Sequence, residues 1–276
     1  MAWTTTTRAQ HARDHLRYAS DLTDAEWALI APALPGPATR GRRRSTSLRA
    51  VVDALLYILT TGCQWRLLPQ GTFPPRSTVQ RYFYGWRDTG VWERLNRRLV
   101  EHARTGQGRP PCPTLAIIDS QSVATTESGG PRGTDAAKRV KGRKRHIVTD
   151  TGGLVLQASV HPANIQDSHG AVPLLRALHG GRPGLRQVLA DRVYRGPKLL
   201  AALADLGHWT ITIVQRPPGV KGFQLLPRRW VVERTFAWLG RNRRLAKDVE
   251  ASIASAEAWL WLAHVKLLTR RIARPR

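Results

Sequence analysis

Two short apolar runs that each close on an aspartate, LAIID at 115–119 and QVLAD at 187–191, constrain this chain most. Runs of four or five apolar residues are too short for a helix, and turn residues bound them, so they read as buried strands ending in a carboxylate. Around them lie two further strand-like runs, His146–Thr149 and Leu154–Val160, flanking the hairpin turn signal Asp150-Thr151-Gly152-Gly153. A helix over Ser168–Leu178, capped near Asp167, follows, then a helix over Pro197–Leu206 and a strand over Thr210–Val214. An arginine-rich helix and a C-terminal amphipathic helix close the chain. This order predicts a mixed α/β layer fold with helices on a sheet.

The first hundred residues read differently. After a polar stretch at 1–20 that is expected to be loose, Thr23 and Glu26 form a capping box ahead of AEWALIAPAL, which Pro35-Gly36-Pro37 stops. The basic loop GRRRSTS (41–47) offers Ser45 or Ser47 as a cap for a helix over Leu48–Thr61, where Val51, Val52, Leu55, Leu56 and Leu59 keep a 3.6-residue period. Helices starting at Ser77-Thr78 and over Val91–Arg104 follow, so this part is expected to be all-helical. Arg81 and Arg87 have the spacing of a helix that could enter a DNA major groove. TGQGRPPCP at 105–113 reads as a linker, dividing the chain into residues 1–108 and 109–276.

Charge narrows the partner. The chain carries 44 Lys+Arg against 19 Asp+Glu, a net charge of +25, and 37 of the basic residues are Arg. Arginine suits bidentate phosphate contact, and the excess runs through both halves, which points to an extended nucleic-acid footprint. Ten Trp and 42% hydrophobic residues suffice for a core, so a disordered basic protein is excluded. Cys63 and Cys112 lack metal-ligand spacing and imply no disulfide framework. MAWTTTTRAQHARDHLRY has no apolar signal-type core, and Ala251–Leu268 is interrupted by Glu257, His264 and Lys266. No membrane association is expected, and a reducing, cytoplasmic setting near the nucleoid fits.

The chemistry centres on carboxylates. RRWVVERTFAWLGRNRRL at 228–245 sets Glu233 among Arg228, Arg229, Arg234, Arg241, Arg243 and Arg244, and on one helix Arg229, Glu233, Gly240 and Arg244 would share a stripe. Asp119, Asp191 and Glu233 converging on one point would repel unless a cation neutralised them. Hard oxygen donors select Mg²⁺ or Mn²⁺, and two such ions roughly 4 Å apart can serve both oxygens of a phosphodiester displacement. Asp150 and Asp167 read instead as hairpin and cap residues. Between the carboxylates, KRVKGRKRH (138–146) concentrates Lys138, Arg139, Lys141, Arg143, Lys144 and Arg145, and reads as a basic loop tracking phosphates.

These motifs, IIDSQSV (117–123), KGRKRH (141–146), HPANIQDS (161–168), LADRVY (189–194) and RRWVVERTFAWLGRNRRL (228–245), occur in the order found in DDE transposases of bacterial insertion sequences, group five, which the chain resembles. TDAEWALIAPALP (23–35) is similar to that group's N-terminal helical domain. The resemblance implies a ribonuclease H-like core with Asp119, Asp191 and Glu233 as its three acids and metal ligands, and Arg229 on phosphate. It implies Mg²⁺-dependent cleavage at transposon ends, attack of the freed 3′-hydroxyl on target DNA, and a homodimer pairing two terminal inverted repeats.

The chain departs from the family pattern at Leu226, where Tyr is usual, and at Gly240, where Lys is usual, with Arg241 or Arg244 as possible replacement cations. It departs also at Val193, where a small residue is common, and at Arg195, often Asp. These departures keep open an alternative: a catalytically impaired descendant that binds ends as a repressor. A general DNA-packaging protein is a third reading, resting on charge alone.

Overall fold

The computed structural model describes residues 4, 5, 8, 11–37, 39–41, 43–206, 209–214 and 228–274. Helix α1 (Asp24–Ile30) opens with the expected box: Glu26 N–H donates to Thr23 Oγ1 at 3.2 Å and Thr23 N–H to Glu26 Oε2 at 3.0 Å. It ends sooner than its apolar pattern suggests. Pro32 lacks the N–H a continuing α-helix needs, and Ala31–Ala33 tighten into a 3₁₀ turn. Helix α2 (Leu48–Thr61) is capped by Ser47 and stopped by Gly62 at φ 71°. Helices α3 (Arg76–Asp88) and α4 (Val91–Thr105) follow.

The sheet is built from β1 (Leu115–Ala124), β2 (Gly133–Asp135), β3 (Val140–Asp150), β4 (Val155–Pro162), β5 (Gln187–Ala190) and β6 (Thr210–Ile213). Its path is β4-β3-β1-β5-β6, with short β2 pairing the start of β3. β3 runs antiparallel to β1 and β4, whereas β1, β5 and β6 are parallel. With helices α5 (Asp167–Gly181), α6 (Pro197–Ala202), α7 (Trp230–Gly240) and α8 (Ile253–Ile272), this mixed α/β arrangement is consistent with a ribonuclease H-like sheet.

β1 and β3 are longer than their apolar runs. The segment expected as a basic loop is strand from Val140, and from Gly142 to Asp150 every residue is buried. Strand alternation explains how such a polar segment can be buried. Arg143 and Arg145 face the side carrying α7 and α8, where Arg143 meets Asp248 at 3.0 Å and Arg145 donates to Leu245 O at 2.6 Å. Lys144 and His146 face α5, where Lys144 meets Asp167 at 2.9 Å. Arg143 and Lys144 each meet a carboxylate and Arg145 donates to backbone carbonyls, so the ladder can continue through them.

Helix α8 is buried on nearly all sides and packs on α4, β4, α1, α2, α3 and α7. The helices of the first hundred residues therefore share one apolar core with the sheet. A polar triangle fixes the junction. Val155 N–H donates to His264 Nε2 at 3.1 Å, Asn96 Nδ2 donates to Val155 O at 2.9 Å, and His264 Nδ1–H bonds Asn96 Oδ1 at 2.5 Å. The 105–113 stretch is pinned too: Arg104 pairs with the buried Asp150 and donates to Pro110 O at 2.8 Å, while Arg109 reaches Asp150 at 3.3 Å. Among the described residues, no helix is long and apolar enough to cross a membrane.

Candidate active site

Asp119 and Asp191 come together through strand register. The parallel β1–β5 pairing runs from Leu115↔Gln187 to Ile117↔Leu189, and two residues further along each strand stand Asp119 and Asp191. Asp191 does follow the end of β5, as expected. Asp119 does not end β1, which continues beside β3 to Ala124↔Gly142. What ends at this level is the neighbouring strand, and the gap it leaves opens Asp119 to the site.

Helix α7 supplies the third acid. Glu233 lies in its first turn, where a carboxylate is favoured by the unpaired N–H groups. The expected stripe from Arg229 to Arg244 is interrupted, because α7 stops at Gly240 and Arg243–Leu245 form a 3₁₀ turn.

One side chain gathers all three acids. Arg229 Nη2 lies 3.7 Å from Asp119 Oδ2, 3.6 Å from Asp191 Oδ2 and 3.9 Å from Glu233 Oε1. No two of those oxygens can then be farther apart than two such contacts end to end. The site is graded in exposure, with side chains 18% exposed at Asp119, 34% at Asp191 and 62% at Glu233. It has a buried floor and an open rim.

The contacts of Arg229 are informative in their length. A guanidinium built as a structural partner makes paired hydrogen bonds of about 2.7–2.9 Å to a carboxylate. Arg229 makes none that short to any of the three, and its Nη1, buried, finds no acceptor among the described residues. Burial pushes the Asp119 carboxyl up to about 6, and the Asp191 charge adds to this; Arg229, the Ser120 N–H and Lys138 oppose it. Three hard oxygen donors around a loosely held cation fit Mg²⁺ or Mn²⁺ in donor chemistry. As the side chains stand, no three His, Cys, Asp or Glu groups among the described residues are close enough to hold an ion, and Arg229 Nη2 lies between these three acids.

Beneath the acids lies a network that sequence reasoning missed. Tyr194, three residues after Asp191, is buried, and its OH lies 2.6 Å from His146 Nε2. His146 Nδ1 lies 3.1 Å from His161 Nε2, and His161 Nδ1 lies 3.1 Å from Pro162 O. A carbonyl only accepts, so His161 Nδ1 carries the proton; its Nε2 then accepts from His146 Nδ1–H, and His146 Nε2 accepts from Tyr194. Burial and the neighbouring His161 hold His146 down to about 3, so it stays neutral. Asp167, expected to cap a helix, instead accepts from Ser120 Oγ at 2.9 Å and pairs with Lys144; Gln166 holds the cap position without a side-chain bond. The only sequence signals for this network were Tyr194 following Asp191 and the His closing KGRKRH.

The expected DNA-contacting residues divide. Lys138, Arg139, Lys141, Arg81 and Arg241 are exposed, and Lys138 Nζ reaches Ser120 O at 3.5 Å beside the acids. Arg143, Lys144 and Arg145 are buried on the partners described above. Arg244 is buried against Glu250 at 2.8 Å and Cys63 O at 3.2 Å, and Arg87 donates to Asp88 and Ser255. Arg81 borders an open groove of about 720 Å³ with Arg43 and Arg44.

Comparison with known proteins bears on this site directly. The family described as "Transposase DDE domain" matches residues 110–268, which span all three acids. The chain belongs to the DDE transposase family. A second family, "Putative transposase of IS4/5 family", matches residues 22–96. Two Burkholderia cepacia proteins are similar. "Putative transposase for insertion sequence element IS402" is 40% identical over 138 residues, 47% of this chain and 62% of that protein. "Insertion element IS402 uncharacterized 16.2 kDa protein" is 32% identical over 113 residues, 39% of this chain and 76% of that protein. The chain thus spans less than two thirds of the first relative's length.

Within this family member the departures have physical settings. Val193 is exposed in the 3₁₀ turn after Asp191, and its N–H donates to Asp191 Oδ1 at 2.9 Å, a bond to which its side chain is indifferent. A Cβ added at Gly240 meets nothing within 4 Å, so the absent lysine leaves open space rather than a repacked surface. Leu226 lies outside the described residues.

Proposed function

We propose that this chain is a transposase that binds the terminal inverted repeats of an insertion sequence, cleaves there, and joins the freed 3′-hydroxyl to target DNA. The observation that carries this reading is the single Arg229 nitrogen within 4 Å of Asp119, Asp191 and Glu233. Asp119, Asp191 and Glu233 would hold two Mg²⁺ ions, with Mn²⁺ able to replace them. Bound there, such ions lower the pKa of the attacking oxygen and neutralise charge on the leaving oxygen.

The chain's own residues do the rest. Arg229 keeps the three carboxylates gathered before DNA arrives, then turns its guanidinium to the phosphate, for which a planar fork is well suited. Burial disfavours the charged form of Asp119, and positive charge entering the site would favour it. Rigid β1 and β5 fix the two aspartates, and exposed Glu233 closes the rim from α7. Lys138, Arg139 and Lys141 position the backbone beside the acids, and Arg241 extends that track along α7. Residues 1–108, through Arg81 and its groove, would recognise the ends, with residues 109–276 as catalytic domain. Two copies would act together on paired ends, in the cytoplasm at the nucleoid.

The test uses labelled duplexes carrying the inverted repeats that flank the coding sequence. Wild-type protein with Mg²⁺ is expected to bind and nick them. Asp119→Asn, Asp191→Asn and Glu233→Gln are each expected to bind comparably and lose cleavage by at least about 10³-fold. Cleavage near the wild-type rate by any of the three removes that residue from the site. A repressor is the second reading, favoured by the guanidinium filling the point where the acids meet; sequence-specific binding by wild type with no nicking would establish it.

A further inference from the structure

At the far end of α7 from Glu233, Arg241, Lys266, Arg270, Arg271 and Arg274 line a cavity of about 470 Å³ between α7, α2 and the last turns of α8. We infer that this cavity is a second binding site for backbone phosphate of the duplex engaged at the carboxylates.

Five cations gathered on one cavity mark this cluster within a basic protein. Several buried or half-buried arginines elsewhere meet carboxylates: Arg13 with Glu26, Arg104 with Asp150, Arg143 with Asp248, Arg182 with Glu101, Arg244 with Glu250. Among the described residues, none of the five cations at the cavity has a carboxylate within 4 Å. The acids nearest in effect are Glu26 and Asp150, and both already hold an arginine. Position near the α8 C-terminus accounts for some of the charge, but a helix end carries only about half an elementary charge and cannot balance five cations.

Lys266 gives the cavity a built floor. It is 8% exposed, and its Nζ donates to Thr60 Oγ1 at 2.6 Å and Asn242 Oδ1 at 2.9 Å. Burial, then the neighbouring Arg270 and Arg13, push Lys266 down to about 7. A lysine fixed from two sides and crowded by guanidiniums would gain its charge as an anion binds, and phosphate supplies one with oxygens for several donors at once.

The duplex as the source of that phosphate rests on the transposase reading. Glu233 and Arg241 are eight residues apart on α7, about 12 Å at 1.5 Å per residue. Each strand of a duplex presents a phosphate about every 3.4 Å of axis, so a duplex running from the acids along α7 would bring a phosphate to the cavity.

Phosphate ethylation interference tests this on a duplex the wild type binds, using wild type, Lys266→Met and Arg274→Ala. Arg274 is exposed, so its removal leaves folding intact, and equal thermal midpoints verify this. Both variants are expected to lose one group of interfering phosphates and keep the others. The slope of log K against log salt should become shallower by about one. Wild-type interference and slope in both variants would overturn the inference while leaving duplex binding standing. Stabilisation of the wild type alone by inorganic pyrophosphate, with unchanged duplex interference, would assign the cavity to a free anion and overturn it also. A wild type that binds no duplex removes both this inference and the transposase reading.

Discussion

Tyr194 donates its phenolic hydrogen to Nε2 of a neutral His146 at 2.6 Å, and the direction of that bond is fixed by a carbonyl two links away. The bond anchors the 3₁₀ turn that carries Asp191 to a strand buried on both faces. Tyr194→Phe keeps the ring and strands His146 Nε2, a loss of about 1–3 kcal/mol. Denaturant unfolding should register that loss. Cleavage assays should show the Mg²⁺ requirement raised more than the DNA requirement, since only the seat of Asp191 has loosened; equal effects on both would indicate a purely structural role.

Asp150 is fully buried, pairs with Arg104 and Arg109, and accepts the N–H groups of Gly152 and Leu154. It joins helix α4 to the β3–β4 hairpin. Asp150→Ala leaves two guanidiniums and two amides without it, and should destabilise by about 3–5 kcal/mol. Urea unfolding measures this; a change below about 1 kcal/mol would show the pair to be dispensable.

Glu257 accepts Val160 N–H at 2.8 Å, and burial pushes its carboxyl up to about 7. A carboxyl raised on folding binds its proton more tightly in the native state. Its favourable contribution is full below the unfolded value near 4.5 and is lost as pH rises through about 7. Glu257→Gln keeps the acceptor without the charge, so it should gain on wild type by about 2 kcal/mol at pH 8 and by little at pH 4. Thermal melts across that range give the comparison, and parallel curves would contradict it.

The open space beside Gly240 predicts that lysine is tolerated there. Gly240→Lys should stabilise the end of α7 by a few tenths of a kcal/mol to about 1 kcal/mol through helix propensity. It should also tighten duplex binding about two- to tenfold at low salt. Filter binding at two salt concentrations measures this, and weaker binding would mean that the site excludes a cation there.

How much of this was legible in the sequence follows from what periodicity can see. Thr23 and Glu26, the period of α2, and the strands ending at Asp191 and spanning Leu154–Val160 were readable because their signals are local or apolar. The first half of β3 was not, because its Arg143, Lys144 and Arg145 are answered by Asp248, Asp167 and Leu245 O, partners up to about a hundred residues away. Asp167 looked like a cap for the same reason: its role is set across the sheet. Meeting of Asp119, Asp191 and Glu233 was expected from chemistry, but the register bringing the aspartates level, and the guanidinium between them, exist only in three dimensions.

Direct counting of bound Mn²⁺ by paramagnetic resonance tests the central claim best, on wild type and on Asp119→Asn, Asp191→Asn and Glu233→Gln, each with duplex ends present. Wild type is expected to bind Mn²⁺, and every variant to bind it at least about tenfold more weakly. Undiminished binding in any one of them would contradict a site shared by the three acids.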